Sequence, residues 1–179
     1  PALETVREKA KKFAAKERQT VEKQIATMAK EVEAEATSKG DGGVTVAGRI
    51  AAEFGMSADA IVAERNQFGR GWGELMIAHT LAANAKTTLT VADVFQLRSE
   101  GMGWGQIAHG LDLKMGDVVA AVKAESKVAT GRAKADGKPA MIRGVNAGVG
   151  AGAQAGAKIG HGKDGVTPAS VGVGVGAKV

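Results

Sequence analysis

The stretch Ala92–His109 reads ADVFQLRSEGMGWGQIAH, and Ala58–His79 reads ADAIVAERNQFGRGWGELMIAH. Both contain Gly-x-Gly-Trp-Gly followed by Glu or Gln, and both then reach Ile-Ala-His. The matching positions hold both Trp residues of the chain and two of its three His residues, namely Trp72 and Trp104, and His79 and His109. An internal repeat indicates a fold built from one reused unit. The repeat therefore predicts a domain of duplicated short-helix units.

Glycine residues and hydrophobic steps of three and four divide the sequence around the repeat into short helices. Gly55, Gly69 and Gly101 each follow one of these predicted helices. The predicted helices cover residues 46–54, 57–67, 73–84, 90–100, 104–111 and 115–127. Because the connections are short, consecutive helices should pack against each other. We therefore expect an all-α fold with a compact duplicated domain over residues 44–127.

The N-terminal segment predicts one long amphipathic helix, which we assign to residues 1–39. Residues 2–37 contain no Gly or Pro, and apolar residues fall on one helical stripe. Members of this stripe are Leu3, Val6, Phe13 and Ile25. Four acidic residues, Glu22, Glu31, Glu33 and Glu35, form a charged face that such a pattern assigns to solvent. We expect the apolar stripe to pack on a partner surface.

The C-terminal part changes composition twice. Residues 128–143 have the Ala, Lys and Gly content of a linker. Residues 144–179 are rich in Gly, Ala and Val, and predict an extended tail. Within it Val171, Val173 and Val175 alternate with Gly, which is the period of a strand with a bare Gly face. Such a face allows close approach of another backbone, so strand addition to a neighbouring chain is expected.

Composition limits both the core and the chemistry. Aromatic residues make up 3% of the chain, so the core must come from aliphatic side chains. The absence of Cys removes disulfides, thiolate metal sites and Cys nucleophiles. No paired carboxylates, Ser-His-Asp order or nucleotide loop is found, so we predict no catalytic residues, no cofactor and no metal. The net charge of +5 leaves nucleic acid and anionic polysaccharide open as partners of a basic surface.

The Gly-flanked Trp residues have two interpretations. In the first, Gly lets the chain turn sharply into a helix while the ring covers the core, and Glu74 or Gln106 accepts hydrogen bonds from first-turn N–H groups. In the second, Trp72 and Trp104 are exposed and stack on a sugar, a base or a protein partner. His79 and His109 are expected to be satisfied helical residues rather than metal ligands, because no ligand spacing accompanies them.

Gly103–Val122 resembles the helix-turn-helix unit of DNA-binding proteins. The matching positions are Gly103, Gln106, Ile107, Ala108, Leu111, the turn at 112–114 and Val118. Val46–Arg65 resembles the same unit through Ile50, Ala51, Phe54, the turn at 55–57 and Ile61. The resemblance implies a tri-helical core and a second helix that contacts DNA. The second helices here offer small or acidic residues to base edges, so the resemblance extends to the architecture more than to base reading.

The doubled Gly-Trp-Gly-Glu/Gln and Ile-Ala-His pattern is also similar to a group of uncharacterised bacterial secreted proteins. This resemblance implies a location outside the cytoplasm, either extracellular or at the cell surface, and it implies no mechanism.

These observations predict a non-catalytic structural protein that self-assembles, as a homo-oligomer or a filament, through its N-terminal helix and its tail. The predicted contacts are Leu3, Val6, Phe13, Ile25, Trp72, Trp104, Val171, Val173 and Val175. If two molecules exchanged their N-terminal helices and tails, each would bury apolar surface that its own small domain cannot cover. Head-to-tail exchange of this kind gives open polymers. Two alternatives are a cytoplasmic nucleic-acid-binding protein that uses its helix-turn-helix-like units and basic ends, and a glycan- or peptide-binding module that uses Trp72 and Trp104.

Overall fold

A computed structural model describes residues 2–13, 15–38 and 40–144, and these residues form eight helices. The helices are α1 (Ala2–Ala10), α2 (Ala15–Thr37), α3 (Gly42–Phe54), α4 (Ala58–Phe68), α5 (Trp72–Asn84), α6 (Val91–Ser99), α7 (Trp104–Gly110) and α8 (Met115–Ala129). The all-α prediction is confirmed for the described residues. The six short helices predicted between residues 46 and 127 are present as α3 to α8.

The N-terminal segment forms two helices, so the prediction of one continuous helix is wrong. The chain leaves α1 through a turn in which the Lys12 N–H donates to the Lys9 carbonyl at 3.1 Å and the Phe13 N–H to the Ala10 carbonyl at 3.2 Å. No Gly or Pro marks this break. The turn places Phe13, which is 5% exposed, in the interior, while α1 packs against α7. Tertiary packing therefore decides the break.

Helix α2 forms the axis of the helical unit, because it contacts α3, α5, α7 and α8. Its buried residues recur at steps of three and four, which is the period of one helix face. They are Ile25, Met28, Val32 and Ala36. The apolar stripe that was expected to need a partner is therefore covered by other helices of the same chain.

Residues Pro1–Ile142 form one compact unit, which includes the segment predicted as a separate helix and residues 128–142 of the predicted linker. Ile142 is 6% exposed, and its N–H donates to Asn84 Oδ1 at 2.7 Å. Asn84 Nδ2 in turn donates to the Ala140 carbonyl at 2.9 Å. Residues 140–142 thus belong to the packed core. Arg143–Val179 form a second unit, and its residues 145–179, including Val171, Val173 and Val175, lie outside the described residues.

Both segments that resemble a helix-turn-helix form two helices joined by a short turn. Between α3 and α4, Gly55 takes a left-handed conformation with φ of 70°. Between α7 and α8, Asp112 takes the same conformation with φ of 60°, which among non-Gly residues is chiefly adopted by Asn and Asp. Ile61 and Val118, on the second helix of each pair, are fully buried. The relation of these pairs to DNA-binding units stays a prediction.

Candidate functional site

Trp72 and Trp104 open helices α5 and α7 and are buried, with 8% and 3% of their surface exposed. The residues before them, Gly71 and Gly103, cap the two helices in extended conformations. These facts confirm the interpretation in which Gly lets the chain turn into a helix while the ring covers the core. They contradict the alternative of an exposed Trp pair, because buried rings have no free face for a sugar or a base.

An Arg side chain from the preceding helix also stacks on each Trp ring. The Arg65 guanidinium carbon lies 4.7 Å from the ring centre of Trp72, and that of Arg98 lies 4.5 Å from the ring centre of Trp104. A guanidinium over an indole face is stabilised by the ring quadrupole. The two copies of the repeat therefore share a third element besides Trp and Gly. The sequence analysis missed it, although Arg stands six or seven residues before Trp in both copies.

Two carboxylates of α2 cap the helices that the Trp residues open. Glu33 Oε2 accepts from the Gly73 N–H at 3.1 Å. Glu22 Oε2 accepts from the Gly105 N–H at 2.8 Å and from the Gln106 N–H at 3.3 Å. A carboxylate at a helix N-terminus satisfies free N–H groups and complements the helix dipole. The prediction that Glu22 and Glu33 face solvent is therefore wrong.

Glycine at the first turn of each helix allows close packing, against the backbone of α2 for Gly73 and against side chains of Phe13 and α2 for Gly105. A Cβ atom at Gly73 would overlap the backbone carbonyl of Ala29. A Cβ atom at Gly105 would lie 3.1 Å from the Phe13 ring and 3.3 Å from a Val21 methyl group. At both Gly73 and Gly105, these distances are shorter than ordinary van der Waals contacts. The Gly-Trp-Gly motif is thus a docking element for α2.

The first-turn acceptors behave differently in the two copies. Gln106 Oε1 accepts from the Gly103 N–H at 2.9 Å, as predicted. Glu74 instead lies 3.4 Å from Arg70 Nη1 and 3.8 Å from Arg98 Nη2. The prediction of an N–H acceptor is therefore confirmed for Gln106, whereas Glu74 is an ion-pair partner that joins the two copies through Arg98.

A cleft of about 350 Å³ lies over α2 between the two capped helices. Its lining contains three carboxylates, two cations, small residues and one ring: Glu22, Glu33, Glu74, Lys30, Arg98, Ala26, Ala29, Gly71 and Trp104. Glu22 and Glu33 accept backbone N–H groups, and Glu74 pairs with Arg98. The polar groups of the cleft thus hold helices together, and we assign the cleft a structural role.

His79 and His109 occupy equivalent places and contact different partners. His79 Nε2 lies 2.6 Å from Glu64 Oε1, and its ring centre lies 5.4 Å from that of Phe54. The His109 ring stacks on Phe13 at 4.9 Å with an angle of 6° between the planes. The His79 ring therefore joins α5 to α3 and α4, and the His109 ring joins α7 to the turn between α1 and α2. Over residues 2–13, 15–38 and 40–144, no group of three or more His, Asp and Glu side chains is arranged to hold a metal ion.

The predicted assembly contacts of the described region lie within the chain's own fold. Val6, Phe13 and Ile25 are buried with 3%, 5% and 0% of their surface exposed, and Leu3 is partly buried against the same core. Burial inside one molecule removes the physical reason for a partner at these residues. The large hydrophobic residues exposed in the described region are Val44 and Met141, at 67% and 70%.

Charge divides the chain unevenly. Residues 114–142 contain six Lys and Arg against three Asp and Glu, a net charge of +3, whereas residues 1–113 contain fourteen against fifteen, a net charge of −1. The ion pairs of the described region include six Lys and Arg side chains of the N-terminal part: Arg7, Lys9, Lys11, Arg49, Arg70 and Arg98. The basic excess of the helical unit is therefore concentrated around α8.

Comparison of the chain with protein-family models, curated proteins and solved structures gives no match. Among the helices of the described region, none combines the length and the apolar character that crossing a bilayer demands.

Proposed function

We propose that this chain is a non-catalytic structural protein, in which a compact helical unit carries a Gly-rich C-terminal segment that associates between copies. The observation that carries the proposal is the internal burial of the N-terminal stripe around Val6 and Ile25. Helices α1 and α2 are satisfied within their own molecule and need no second copy. We therefore assign association to residues 144–179 alone. The proposal also includes a location outside the cytoplasm, as the resemblance to secreted proteins implies.

The chemistry of the C-terminal segment supports this assignment. Val171, Val173 and Val175 alternate with Gly, so one face of an extended strand would be apolar and the other bare. A lone strand of this kind has no partner for its backbone groups, and pairing with the same segment of another chain supplies one. Contacts between identical segments that do not close into a ring extend into a polymer.

Removal of residues 144–179 tests the proposal. The full chain should form large species in sedimentation velocity and polymers in electron micrographs, whereas the truncated chain should sediment as a monomer. Because the helical unit keeps all of its own contacts, the helical circular dichroism signal per molecule should be unchanged. A truncated chain that assembles as the full chain does, or a full chain that stays monomeric at about 100 μM, would contradict the proposal.

A matched pair of variants localises the contact. Replacement of Val171, Val173 and Val175 by Ser removes the apolar face and should prevent assembly. Replacement of Ala151, Ala153 and Ala155 by Ser changes the same number of residues outside the Val-Gly alternation, and it should leave assembly intact. Equal loss in both variants would show that general solubility, and not the alternating stretch, controls association.

A further inference from the structure

We propose that the C-terminal end of α8 and the segment after it bind the phosphate backbone of double-stranded nucleic acid, without reading its base sequence. The surface consists of Lys123, Lys127, Arg132 and Lys134, and is called the basic surface below. All four residues are exposed. This inference concerns the helical unit and is independent of any association through residues 144–179.

The local fold brings the four cations to one end of one helix. Lys123 and Lys127 are one turn apart on the exposed face of α8, which corresponds to a rise of about 6 Å. The N–H groups of Arg132 and Ala133 donate to the Lys127 carbonyl at 2.7 and 3.0 Å. These bonds fold residues 131–134 back against the end of α8. The four charges are thus grouped by backbone geometry.

These cations differ in pairing from six cations of the N-terminal part, which form ion pairs. Arg7 and Lys9, for example, lie 2.8 and 2.6 Å from carboxylate oxygens of Glu100 and Asp112. Within the described region, no ion pair involves the four residues of the basic surface. Cations without an acid partner are free to attract an external anion. Because like charges held close together repel each other, binding of a polyanion also relieves that repulsion.

The rest of the exposed face favours a phosphate backbone over other anionic polymers. Gly116, Ala120 and Ala124 lie on the same exposed face of α8, so the helix can approach a flat or convex partner closely. The exposed positions of α8 and of residues 131–134 carry no aromatic ring or amide for a sugar ring, and no Asn or Gln for a base edge. Duplex DNA presents about one charge per 1.7 Å, and its binding is driven by counterion release.

Binding can be measured by fluorescence anisotropy of a labelled duplex of about 20 base pairs with mixed sequence, using the full chain at several salt concentrations. Four phosphate contacts predict a slope of about −3 to −4 for log affinity against log salt. Two duplexes of unrelated sequence should bind within about twofold of each other. The double variant K123E/K127E should lose at least about tenfold in affinity at low salt.

The control is K16E/K23E, which changes the net charge by the same amount at exposed positions of α2. It should bind within about threefold of the unchanged protein. No binding at 25 mM salt, or equal losses in the two double variants, would overturn the proposal. A sulfated polysaccharide that competes better than DNA at equal charge concentration would also overturn it, because the partner would then be a glycan.

Discussion

The two Gly-Trp-Gly segments carry the same local sequence and end in different surroundings. The first opens the 13-residue helix α5, which packs against α2, α3, α4, α6 and α8. The second opens the 7-residue helix α7, which packs mainly against α1 and α2. Both are capped by a carboxylate of α2 and both stack an Arg on the ring. The repeat therefore determines how a helix starts and docks on α2, while the remaining neighbours differ.

The spacing of the two caps shows how one helix serves two copies. Glu22 and Glu33 are eleven residues apart, about three turns or 16 Å along the axis of α2. Three turns bring them to nearly the same face. The second cap holds two N–H groups and the first holds one. The first copy of the repeat has fewer capping bonds but packs its backbone more closely on α2, because Gly73 lies directly against the backbone of Ala29. Substitutions that affect one type of contact should thus affect the two copies unequally.

The largest difference is expected from the matched substitutions G73A and G105A. A methyl group at Gly73 meets backbone, which cannot move without shifting α2, whereas at Gly105 it meets side chains. Overpacking of this kind predicts a loss of about 3 kcal/mol in the free energy of unfolding for G73A and about 1 kcal/mol for G105A. Urea titration followed by circular dichroism measures both. Equal losses would show that the two docking sites are equally rigid. G116A, at an exposed α8 position with open space around it, is the control.

The next difference concerns the capping carboxylates. E22A leaves two N–H groups without their acceptor, and E33A leaves one. The freed N–H groups are part-buried, so water cannot fully replace the carboxylate that accepted them. We therefore expect a loss of about 2 kcal/mol in the free energy of unfolding for E22A and about 1 kcal/mol for E33A. E31A removes an exposed carboxylate of the same helix, and it should change stability by less than about 0.5 kcal/mol. Chemical denaturation tests the order, and an E31A effect as large as that of E22A would contradict the capping role.

The smallest effect on stability is expected at an ion pair that contacts only the second copy of the repeat. Arg7 of α1 donates to both carboxylate oxygens of Glu100, at 2.8 and 2.9 Å, and this hydrogen bonding lowers the pKa of Glu100 below its usual value of 4.5. A lowered pKa gives stability that is present above the usual pKa and is lost as the pH falls through the lowered one. E100Q should therefore melt slightly below the unchanged protein at pH 7. At pH 2 to 3 the two melting temperatures should converge, and a constant difference would exclude the pair as its cause.

Local sequence signals predicted the helices well where Gly and hydrophobic period agree. The short helices α3 to α8 were all expected, and four of them, α3, α4, α5 and α7, begin or end at a Gly cap. The break after α1 was not expected, because residues 10–15 contain no helix-breaking residue. The burial of Ile142 was also missed, since its segment has the composition of a linker and is held by side chains of other helices, namely Asn84, Glu53 and Glu125.

The candidate site was predicted in part. The repeat identified Trp72 and Trp104, and the Gly residues around them explained the sharp helix starts. The role of Glu22 and Glu33 could not be predicted from their own helix, because their surroundings resemble an ordinary charged face. Their partners are N–H groups 40 and 83 residues away in the chain. A regular spacing of acids on the helix that precedes a repeat is the one signal that could have indicated them.

The sequence by itself determined the elements: six short helices, their Gly starts and stops, and the duplication that gives two of them the same first turn. These are local properties, which follow from backbone conformations and from the spacing of apolar residues. Only the tertiary structure decided that α1 and α2 pack on their own chain, and that Glu22 and Glu33 cap the repeated helices. Those outcomes depend on contacts between distant residues, which no local pattern encodes.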